Sequence, residues 1–511
     1  MLPERIRAAS LRLRLMILLG LLSHLAPASL NAQHISSVRF DDSDMALNLA
    51  EALTFRKYPT YEQYLGIMQG FAASYPEICR LDTFGHSQEG RLLLALKISD
   101  QVEEEEAEAA FLYSSSMHGD EVLGYVLLLR LADTLLSGYG VDSEISTLVD
   151  HLAIWINPLA NPDGSFHNDN GLSLRNAVRT ARDGTDLNRD FPRPDLGQED
   201  DTTGRALENS FMMEFLRKHR FSMSANLHGG EEVVNYPWDF TPWLHADDAW
   251  YRFVSREYAD EAMAVDPDYM WGWPDDGITN GWAWYEALGT RQDYVNWYLG
   301  GREVTLELSM EKLLPSDQLE QHWNINRRSL INYMSQCLYG IRGTVTDQEN
   351  AGPVRARIQI ENHDSLYSVV HSSETFGDFY RLIKEGVYDL IISAPGYFND
   401  TLTSVSVTDY QATELDIQLQ PYGLSARPPG LSSFRIYPNP SSGVLYVEGS
   451  AMPAGDVLVS LYTLDGRQVY KETHSFFGER IEISTEFLDP GIYMIRCTLG
   501  TFSGTYRVLI L

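Results

Sequence analysis

A histidine and a glutamate stand three residues apart, at His118 and Glu121, where a predicted strand gives way to a predicted helix. Residues 109–113 before them are apolar and predict a buried strand, and residues 122–136 after them carry apolar side chains at helical spacing. In an open α/β sheet, ligands bind at this carboxyl end of the strands. An imidazole and a carboxylate on one such loop can bind a single metal ion.

The pair alone is a weak signal, because the same His-x-x-Glu spacing recurs from His86, His228 and His371. Five further stretches of the same predicted domain strengthen it, since each places polar residues at a strand end or in a loop. They are Asn-Pro-Asp-Gly at 161–164, Asp-Leu-Asn-Arg-Asp-Phe-Pro at 186–192, Asn-Leu-His-Gly-Gly at 226–230, an aromatic loop at 284–294 and a strand with two carboxylates at 303–309.

The residue types in these stretches fit a hydrolytic metal centre. Two imidazoles and one carboxylate are a ligand set of catalytic zinc sites, which keep a fourth position for water, and His118, Glu121 and His228 would provide it. Glu307, on a predicted buried strand, could accept a proton from that water. An arginine would be needed for the developing oxyanion, and a second arginine with an amide could bind a substrate carboxylate.

Together these motifs resemble the zinc metallocarboxypeptidases, and within them the regulatory subfamily that removes C-terminal Lys and Arg. The resemblance covers residues 56–337, with all the main motifs in the order of the family. It implies one Zn²⁺ ion per catalytic domain, bound by His118, Glu121 and His228, with Glu307 as the general base.

The same resemblance implies which residues bind the substrate. Asn188 and Arg189 match the pair that binds the terminal carboxylate. Tyr285 matches the tyrosine that closes over the substrate, because it lies 22 residues before Glu307. Tyr294 has the wrong spacing for that role, and we interpret it as a packing residue.

Two positions near the predicted metal site leave a question open. The oxyanion arginine is predicted to be Arg179, which has the subfamily spacing of nine residues before the Asn-Arg pair. The residues around Arg175 match the local sequence motif of the family better, so Arg175 remains the alternative. Asp120 departs from the subfamily, which usually has asparagine there, and it adds negative charge beside the metal.

The resemblance also predicts a specificity pocket. Asp239 lies eleven residues after the second histidine, and Gln292 lies seven residues after the mobile tyrosine, as in the subfamily. A buried carboxylate at the base of a pocket requires a cationic partner, so this pocket would favour Lys or Arg. A role of Asp239 as a turn or capping residue is the alternative.

Around these motifs the sequence predicts an α/β domain with a mixed sheet, at 56–337. Apolar strands without polar interruption indicate burial on both faces of the sheet. The predicted strands are 78–84, 92–98, 109–113, 152–156, 223–227 and 303–308, and the predicted helices are 58–74, 122–136, 206–220 and 316–334.

From residue 338 the pattern changes to short alternating strands, which predict two small all-β sandwich domains at 338–421 and 434–511 with a linker at 422–433. The first resembles the transthyretin-like, carboxypeptidase regulatory-like domain. The second resembles the type IX secretion sorting domain. The residues that carry this resemblance include Tyr-Pro-Asn-Pro at 437–440 and Gly-Ile-Tyr at 491–493. That resemblance implies secretion machinery as a partner.

The N-terminal residues 1–32 contain arginines, then a short apolar run, then small residues, and they predict a secretory signal. A membrane anchor is the alternative, although the apolar run is short for a bilayer. With the sorting domain, this predicts a secreted or cell-surface protein exported through the periplasm. The net charge of −32 argues against nucleic acid as a partner, and we expect a monomer.

The cysteines are three, Cys79, Cys337 and Cys497, too few for a disulfide framework. We predict that they are core residues, with one disulfide as the alternative.

The sequence is compatible with three functions. The first is a secreted carboxypeptidase that releases Lys or Arg from peptide or protein C-termini. The second keeps the metal site but acts on cell-wall peptides, as a carboxypeptidase or amidase; Asn188, Arg189 and Asp239 argue against it. The third is an inactive peptide-binding protein, against which the intact ligand set and Glu307 argue.

Overall fold

The computed structural model describes residues 39–272, 275–365, 368–422, 434–449, 455–463, 467–476, 480–499 and 502–511. The predicted signal at 1–32 lies outside these ranges, as does the predicted linker apart from Tyr422. Within the described residues, no helix is both long and apolar enough to cross a bilayer.

The first domain contains the predicted mixed sheet, which has eight strands where the sequence predicted six. Its strands are β1 (Cys79–His86), β2 (Leu92–Ile98), β3 (Ala109–Ser115), β4 (Leu152–Asn157), β5 (Met223–His228), β6 (Glu231–Tyr236), β7 (Ile278–Asn280) and β8 (Arg302–Ser309). Their order in the sheet is β1-β2-β4-β3-β5-β8-β6-β7. The four central strands β4, β3, β5 and β8 are parallel, whereas β2 pairs with β4 and β6 pairs with β8 in antiparallel fashion.

Helices cover both faces of this sheet. The longer ones are α1 (Tyr61–Ser74), α2 (Leu123–Gly138), α3 (Ser143–His151), α4 (Leu207–His219), α5 (Asp248–Val265) and α6 (Leu319–Ser335). Shorter helical turns are Asp42–Asp44, Leu49–Ala52, Pro162–Ser165, Leu187–Arg189, Pro194–Leu196, Gly281–Trp284, Arg291–Tyr294, Val295–Leu299, Ser316–Gln318 and Gln336–Leu338.

The central strand β3 shows why its sequence is apolar throughout. Phe111 and Tyr113 lie in a large core that also contains Leu127 of α2. Leu112, which points to the other face, lies in a second core with Phe215 of α4. Because successive side chains alternate between two buried faces, the strand has no polar position until the loop that follows it.

The structure adds elements that the sequence did not predict. Strand β6 begins with two glutamates that are only partly buried, so its first half lacks the apolar pattern of a strand. Helix α5 carries many charged residues on its exposed face. Phe40 and Phe55, in the segment before residue 56, pack into the large core of the first domain.

The next domain is a β-sandwich with its own core. Its strands are β9 (Gly340–Asp347), β10 (Arg357–Ile360), β11 (Val370–His371), β12 (Asp378–Arg381), β13 (Gly386–Ser393), β14 (Asp400–Val407) and β15 (Ala412–Leu419). They form two sheets, β11-β10-β13-β14 and β12-β9-β15. All pairs are antiparallel except β9 and β15, which are parallel.

The last domain is a second β-sandwich, again with a separate core. Its strands are β16 (Phe434–Tyr437), β17 (Val444–Gly449), β18 (Gly455–Thr463), β19 (Gln468–Phe476), β20 (Ile481–Ser484), β21 (Gly491–Leu499) and β22 (Phe502–Ile510). They form the sheets β16-β17-β20 and β19-β18-β21-β22. The predicted fold class, an α/β domain followed by two all-β domains, is therefore confirmed.

The three cysteines are buried and free: Cys79 and Cys337 belong to the large core of the first domain, and Cys497 belongs to the core of the last. The alternative of a disulfide is wrong for this structure.

A buried ion-pair network joins the first domain to the β-sandwich that follows it. The Asp247 carboxylate accepts hydrogen bonds from Arg302 of β8 at 2.8 Å and from Arg381 of β12 at 2.7 and 2.9 Å. Arg381 also donates to Asp364 at 2.6 Å, and its side chain is 0% exposed. Burial would raise the pKa of Asp247, but the two arginines hold it well below its usual range.

We predict that Arg381→Met destabilises the first domain and the sandwich by about 3–5 kcal/mol, because it leaves two buried carboxylates short of a cation. Urea unfolding would measure the change. Arg355→Met is the control, since the Arg355–Glu374 pair is 49% and 73% exposed and should contribute less than about 1 kcal/mol. Equal effects of the two substitutions would contradict the structural role of the network.

Candidate active site

Three parallel strands bring the predicted metal ligands and the predicted general base to one edge of the sheet. His118 and Glu121 lie in the loop between β3 and α2, and His228 is the last residue of β5. In the register of β5 and β8, His228 lies directly opposite Glu307. Carboxyl ends of parallel strands meet at one edge, so residues far apart in sequence become neighbours here.

The two histidines and Glu121 converge with single atoms of each side chain. The Nδ1 atoms of His118 and His228 lie 3.0 Å apart. Glu121 Oε2 lies 2.9 Å from the first and 2.7 Å from the second. All three residues are at least 96% buried. Two imidazole nitrogens and one carboxylate oxygen that meet in this way are a donor set that fits zinc.

The outer nitrogen of each histidine has its own partner. His118 Nε2 lies 3.2 Å from Asp186 Oδ1. His228 Nε2 lies 2.7 Å from the amide of Asn226, whose Oδ1 has no other partner among the described residues. With Nδ1 bound to a metal, Nε2 would carry the proton, and the Asn226 oxygen could accept a hydrogen bond from Nε2–H when the amide is turned. Asp186 and Asn226 both lie in the sequence motifs named above, but no role was predicted for either of them.

The pKa shifts of His228 and Glu121 suit metal ligands, whereas that of His118 does not. Burial lowers the pKa of His228 to about 4. Burial acts on His118 in the same direction, but the Glu121 and Asp186 carboxylates outweigh it and raise its pKa. The pKa of Glu121 lies well below its usual range, because the two histidines outweigh the cost of its burial. Glu121 is thus ionised and His228 neutral, as metal binding requires.

The second oxygen of Glu121 is held by a lysine that the sequence analysis missed. Lys312 Nζ lies 2.8 Å from Glu121 Oε1 and 3.6 Å from Asp120 Oδ2. With Oε1 held in this way, Oε2 faces the two histidines and also accepts the backbone N–H of Gly229 at 3.3 Å. Lys312 offsets part of the extra negative charge of Asp120, the departure noted in the sequence.

Glu307 borders the same cavity as the ligand histidines. The residue is partly exposed, but its Oε2 is inaccessible to solvent and has no hydrogen-bond partner among the described residues. Burial and the neighbouring Glu121 carboxylate raise the pKa of Glu307 well above its usual range. A divalent cation at the three ligands would offset this repulsion.

The two arginine candidates occupy different places. Arg179 Nη1 lies 3.1 Å from His118 Nδ1 and 3.4 Å from Glu121 Oε1, and it lines the cavity. Arg175 pairs with Asp42 at 2.9 Å and is half-exposed. The structure therefore brings Arg179, and not Arg175, to the predicted metal ligands.

The residues predicted to bind the substrate carboxylate line the same cavity. Asn188 Oδ1 accepts the backbone N–H of Arg291 at 2.9 Å, which fixes the amide. Arg189 donates to the hydroxyl of Tyr285 at 3.3 Å, and Tyr285 is 47% exposed at the mouth of the cavity. Tyr294 is fully buried against Phe191, as expected for a packing residue.

Asp239 lies at the base of the cavity and is 4% exposed. Its carboxylate accepts hydrogen bonds from Asn235 at 3.0 Å, from Thr290 at 2.8 Å and from Gln292 at 3.1 Å. Gln292 thus lies behind Asp239, whereas Thr290 lines the cavity. Gly281 is required beside it, because a Cβ atom there would lie 1.9 Å from Asp239 Oδ1.

A larger cavity, of about 340 Å³, lies between the opposite end of the sheet and the first β-sandwich. Its lining includes Lys97, Trp155 and Phe379. None of His118, Glu121 and His228 lines this larger cavity. We therefore place the active site in the smaller cavity, which His118, His228 and Glu307 line.

Comparison with known families identifies the first domain. A family model described as zinc carboxypeptidase matches residues 64–329, which is half of the chain. The chain belongs to the zinc carboxypeptidase family. This zinc carboxypeptidase is therefore a hydrolase, and its implied cofactor is the Zn²⁺ that the His118, Glu121 and His228 donor set fits.

The two β-domains of this zinc carboxypeptidase also match family models. Residues 340–420 match a carboxypeptidase regulatory-like domain, and residues 435–511 match a secretion system C-terminal sorting domain. The sorting domain implies that the enzyme is exported with the help of secretion machinery.

Curated relatives support the same family. Carboxypeptidase SOL1 of Arabidopsis thaliana is 34% identical over 358 residues, which are 68% of this chain and 70% of the relative. Mouse carboxypeptidase M is 31% identical over 419 residues, covering 77% and 92% of the two chains. Human carboxypeptidase D is 34% identical, but the chain spans about a quarter, 26%, of its length.

Among solved structures, thrombin activatable fibrinolysis inhibitor aligns with a TM-score of 0.50 at 18% identity, over 57% of this chain and 77% of that one. This likeness concerns the fold.

We predict that Asp186→Asn weakens zinc binding by the enzyme about tenfold. The amide cannot serve both the His118 imidazole and the Arg179 guanidinium, so the ligand loses its fixed orientation. Competition with a chelator would measure the zinc affinity. Asp183→Asn, in the same loop but exposed, should leave the affinity unchanged. Unchanged affinity in Asp186→Asn would exclude this support for the metal site.

Proposed function

We propose that this chain is an exported zinc carboxypeptidase that removes Lys or Arg from the C-termini of peptides and proteins. The observation that carries the proposal is the Asp239 carboxylate. It is buried at the base of the cavity that His118, His228 and Glu307 also line, and its hydrogen-bond donors are all neutral. A cationic side chain is the partner that such a carboxylate requires, and an apolar side chain would leave it unpaired.

The terminal carboxylate of the substrate would be bound by Asn188 and Arg189. A planar guanidinium can bind a carboxylate through two hydrogen bonds, and the Asn188 amide adds a third. Tyr285, partly exposed and in contact with Arg189, would cover the bound residue. These contacts recognise a free α-carboxylate, so they favour cleavage of the last peptide bond.

The remaining residues would carry out the hydrolysis. A zinc ion at His118, Glu121 and His228 would supply Lewis-acid activation of a water and of the scissile carbonyl. Glu307 would accept the proton of the attacking water and pass it to the leaving amine. The Arg179 guanidinium would stabilise the oxyanion that develops on the carbonyl.

The domain roles are part of the same proposal. We assign 56–337 to catalysis, 338–421 to a structural domain and 434–511 to sorting, with 1–32 as a cleaved signal and 422–433 as a linker. The enzyme would pass through the periplasm and act, as a monomer, outside the cell or at its surface.

The proposal is tested with two matched acylated dipeptides, one ending in Arg and one in Phe, with and without a zinc chelator. We expect chelator-sensitive release of Arg with a kcat/KM about a hundredfold or more above that of Phe, because Phe leaves Asp239 unpaired. Preferential release of Phe would keep the enzyme and exclude the proposed specificity. Release of neither residue would favour the cell-wall or non-enzymatic functions.

The variant Glu307→Gln tests the role of Glu307 as the general base. The amide has nearly the same shape but cannot accept the proton, so turnover should fall by about 10²–10⁴-fold while bound zinc remains. Full activity in this variant would exclude Glu307 as the base.

A further inference from the structure

Beside Asp239 lies a second buried carboxylate, Asp293, on the short helix Arg291–Tyr294. It is 1% exposed. Its Oδ1 accepts the backbone N–H of Asp239 at 3.0 Å, and its Oδ2 accepts the backbone N–H of Phe240 at 3.1 Å. Asp293 therefore fixes the backbone that carries the pocket carboxylate. We call Asp239 and Asp293 the acidic pair.

The acidic pair has no cationic partner among the described residues. The side-chain donors to Asp239 are Asn235, Thr290 and Gln292, and the donors to Asp293 are backbone amides. The hydroxyl of Thr290 links the Asp239 carboxylate to the backbone of Asp293, because it donates to Asp239 Oδ2 and accepts the backbone N–H of Asp293 at 3.3 Å.

The other charged groups around the acidic pair do not neutralise it. Arg291, on the same short helix, forms a closed ion pair with Glu303 of β8 at 2.9 Å, and both side chains are 0% exposed. Arg189 is the cation whose field reaches Asp239, while Glu303 acts in the opposite direction. With both acids ionised, one negative charge would lie at the wall of the cavity and a second directly behind it, neither with a cationic hydrogen-bond partner.

Two such charges, close together and shielded from water, titrate as a coupled pair. Burial and then the field of Asp239 raise the pKa of Asp293 well above its usual range. Burial also raises the pKa of Asp239. The burial of both acids and the lack of a cationic hydrogen-bond partner thus both favour a shared proton over two ionised carboxylates.

We propose that the acidic pair holds one proton when the pocket is empty and releases it to solvent when a Lys or Arg side chain enters. The ammonium or guanidinium brings one positive charge and the proton takes one away, so the net charge of the pocket stays constant. Asp293 is thereby a second specificity residue, which acts through Asp239. The inference rests on the proposed Lys/Arg specificity.

The proposal has a signature in the pH dependence of substrate choice. Below the pKa of the pair, a proton competes with the cationic side chain, so KM for an Arg-ended dipeptide should rise by up to about tenfold per pH unit as pH falls. A dipeptide ending in citrulline, the neutral isostere of arginine, displaces no proton, and its KM should stay level. The ratio of the two kcat/KM values cancels ionisations at Glu307 and the metal site, because both substrates share them.

The experiment measures this ratio from pH 5 to 9 in the wild-type enzyme and in Asp293→Asn. We expect the wild-type ratio to increase with pH and then level off. In Asp293→Asn one acid remains, so the ratio should lose most of its pH dependence and fall about tenfold or more at high pH, through KM and not kcat. Asp100→Asn, at the opposite end of the sheet, is the control and should behave as wild type.

The outcomes separate the two proposals. A wild-type enzyme that prefers Arg with a ratio independent of pH would overturn the acidic pair and keep the Lys/Arg specificity. A wild-type enzyme that does not distinguish Arg from citrulline would overturn both. An equal pH dependence in Asp293→Asn would assign the proton to Asp239 alone and overturn the acidic pair. If Asp293→Asn does not fold, a wild-type ratio independent of pH still overturns it.

Discussion

Three donor atoms must surround a single point to bind one metal ion, and the parallel pairing of β3, β5 and β8 is the constraint that makes this possible. The register places His228 opposite Glu307, and the loop after β3 delivers His118 and Glu121 to the same edge. Burial of both faces of the sheet fixes these strands, since β3 contributes side chains to two cores.

The first domain also contains several buried carboxylates, and their negative charges are compensated in different ways. Asp247 is neutralised by two arginines, one from each of two domains. Glu303 has its own buried arginine, Arg291. Asp239 has only neutral donors, and this difference is the basis of the proposal that its pocket selects a cationic side chain.

Sequence motifs predicted the strands and loops of the site well, because each motif couples a strand end to a polar residue, as at His228. The supporting contacts could not be predicted, since Asp247 and Arg381 are 134 residues apart and share no local pattern. The choice between Arg179 and Arg175 stayed open for the same reason: the contact of Arg175 with Asp42 spans 133 residues. Strand β6 was missed because its first residues are charged.

The central claim is that one zinc site removes single residues from a free C-terminus. Mass spectrometry of peptides incubated with the zinc-loaded enzyme tests it most directly, with each peptide supplied as a free acid and as the C-terminal amide. The account predicts that free acids ending in Lys or Arg lose the mass of that one residue, and that the amides, which lack the carboxylate for Asn188 and Arg189, stay intact. Internal cleavage, or equal trimming of the amides, would contradict it.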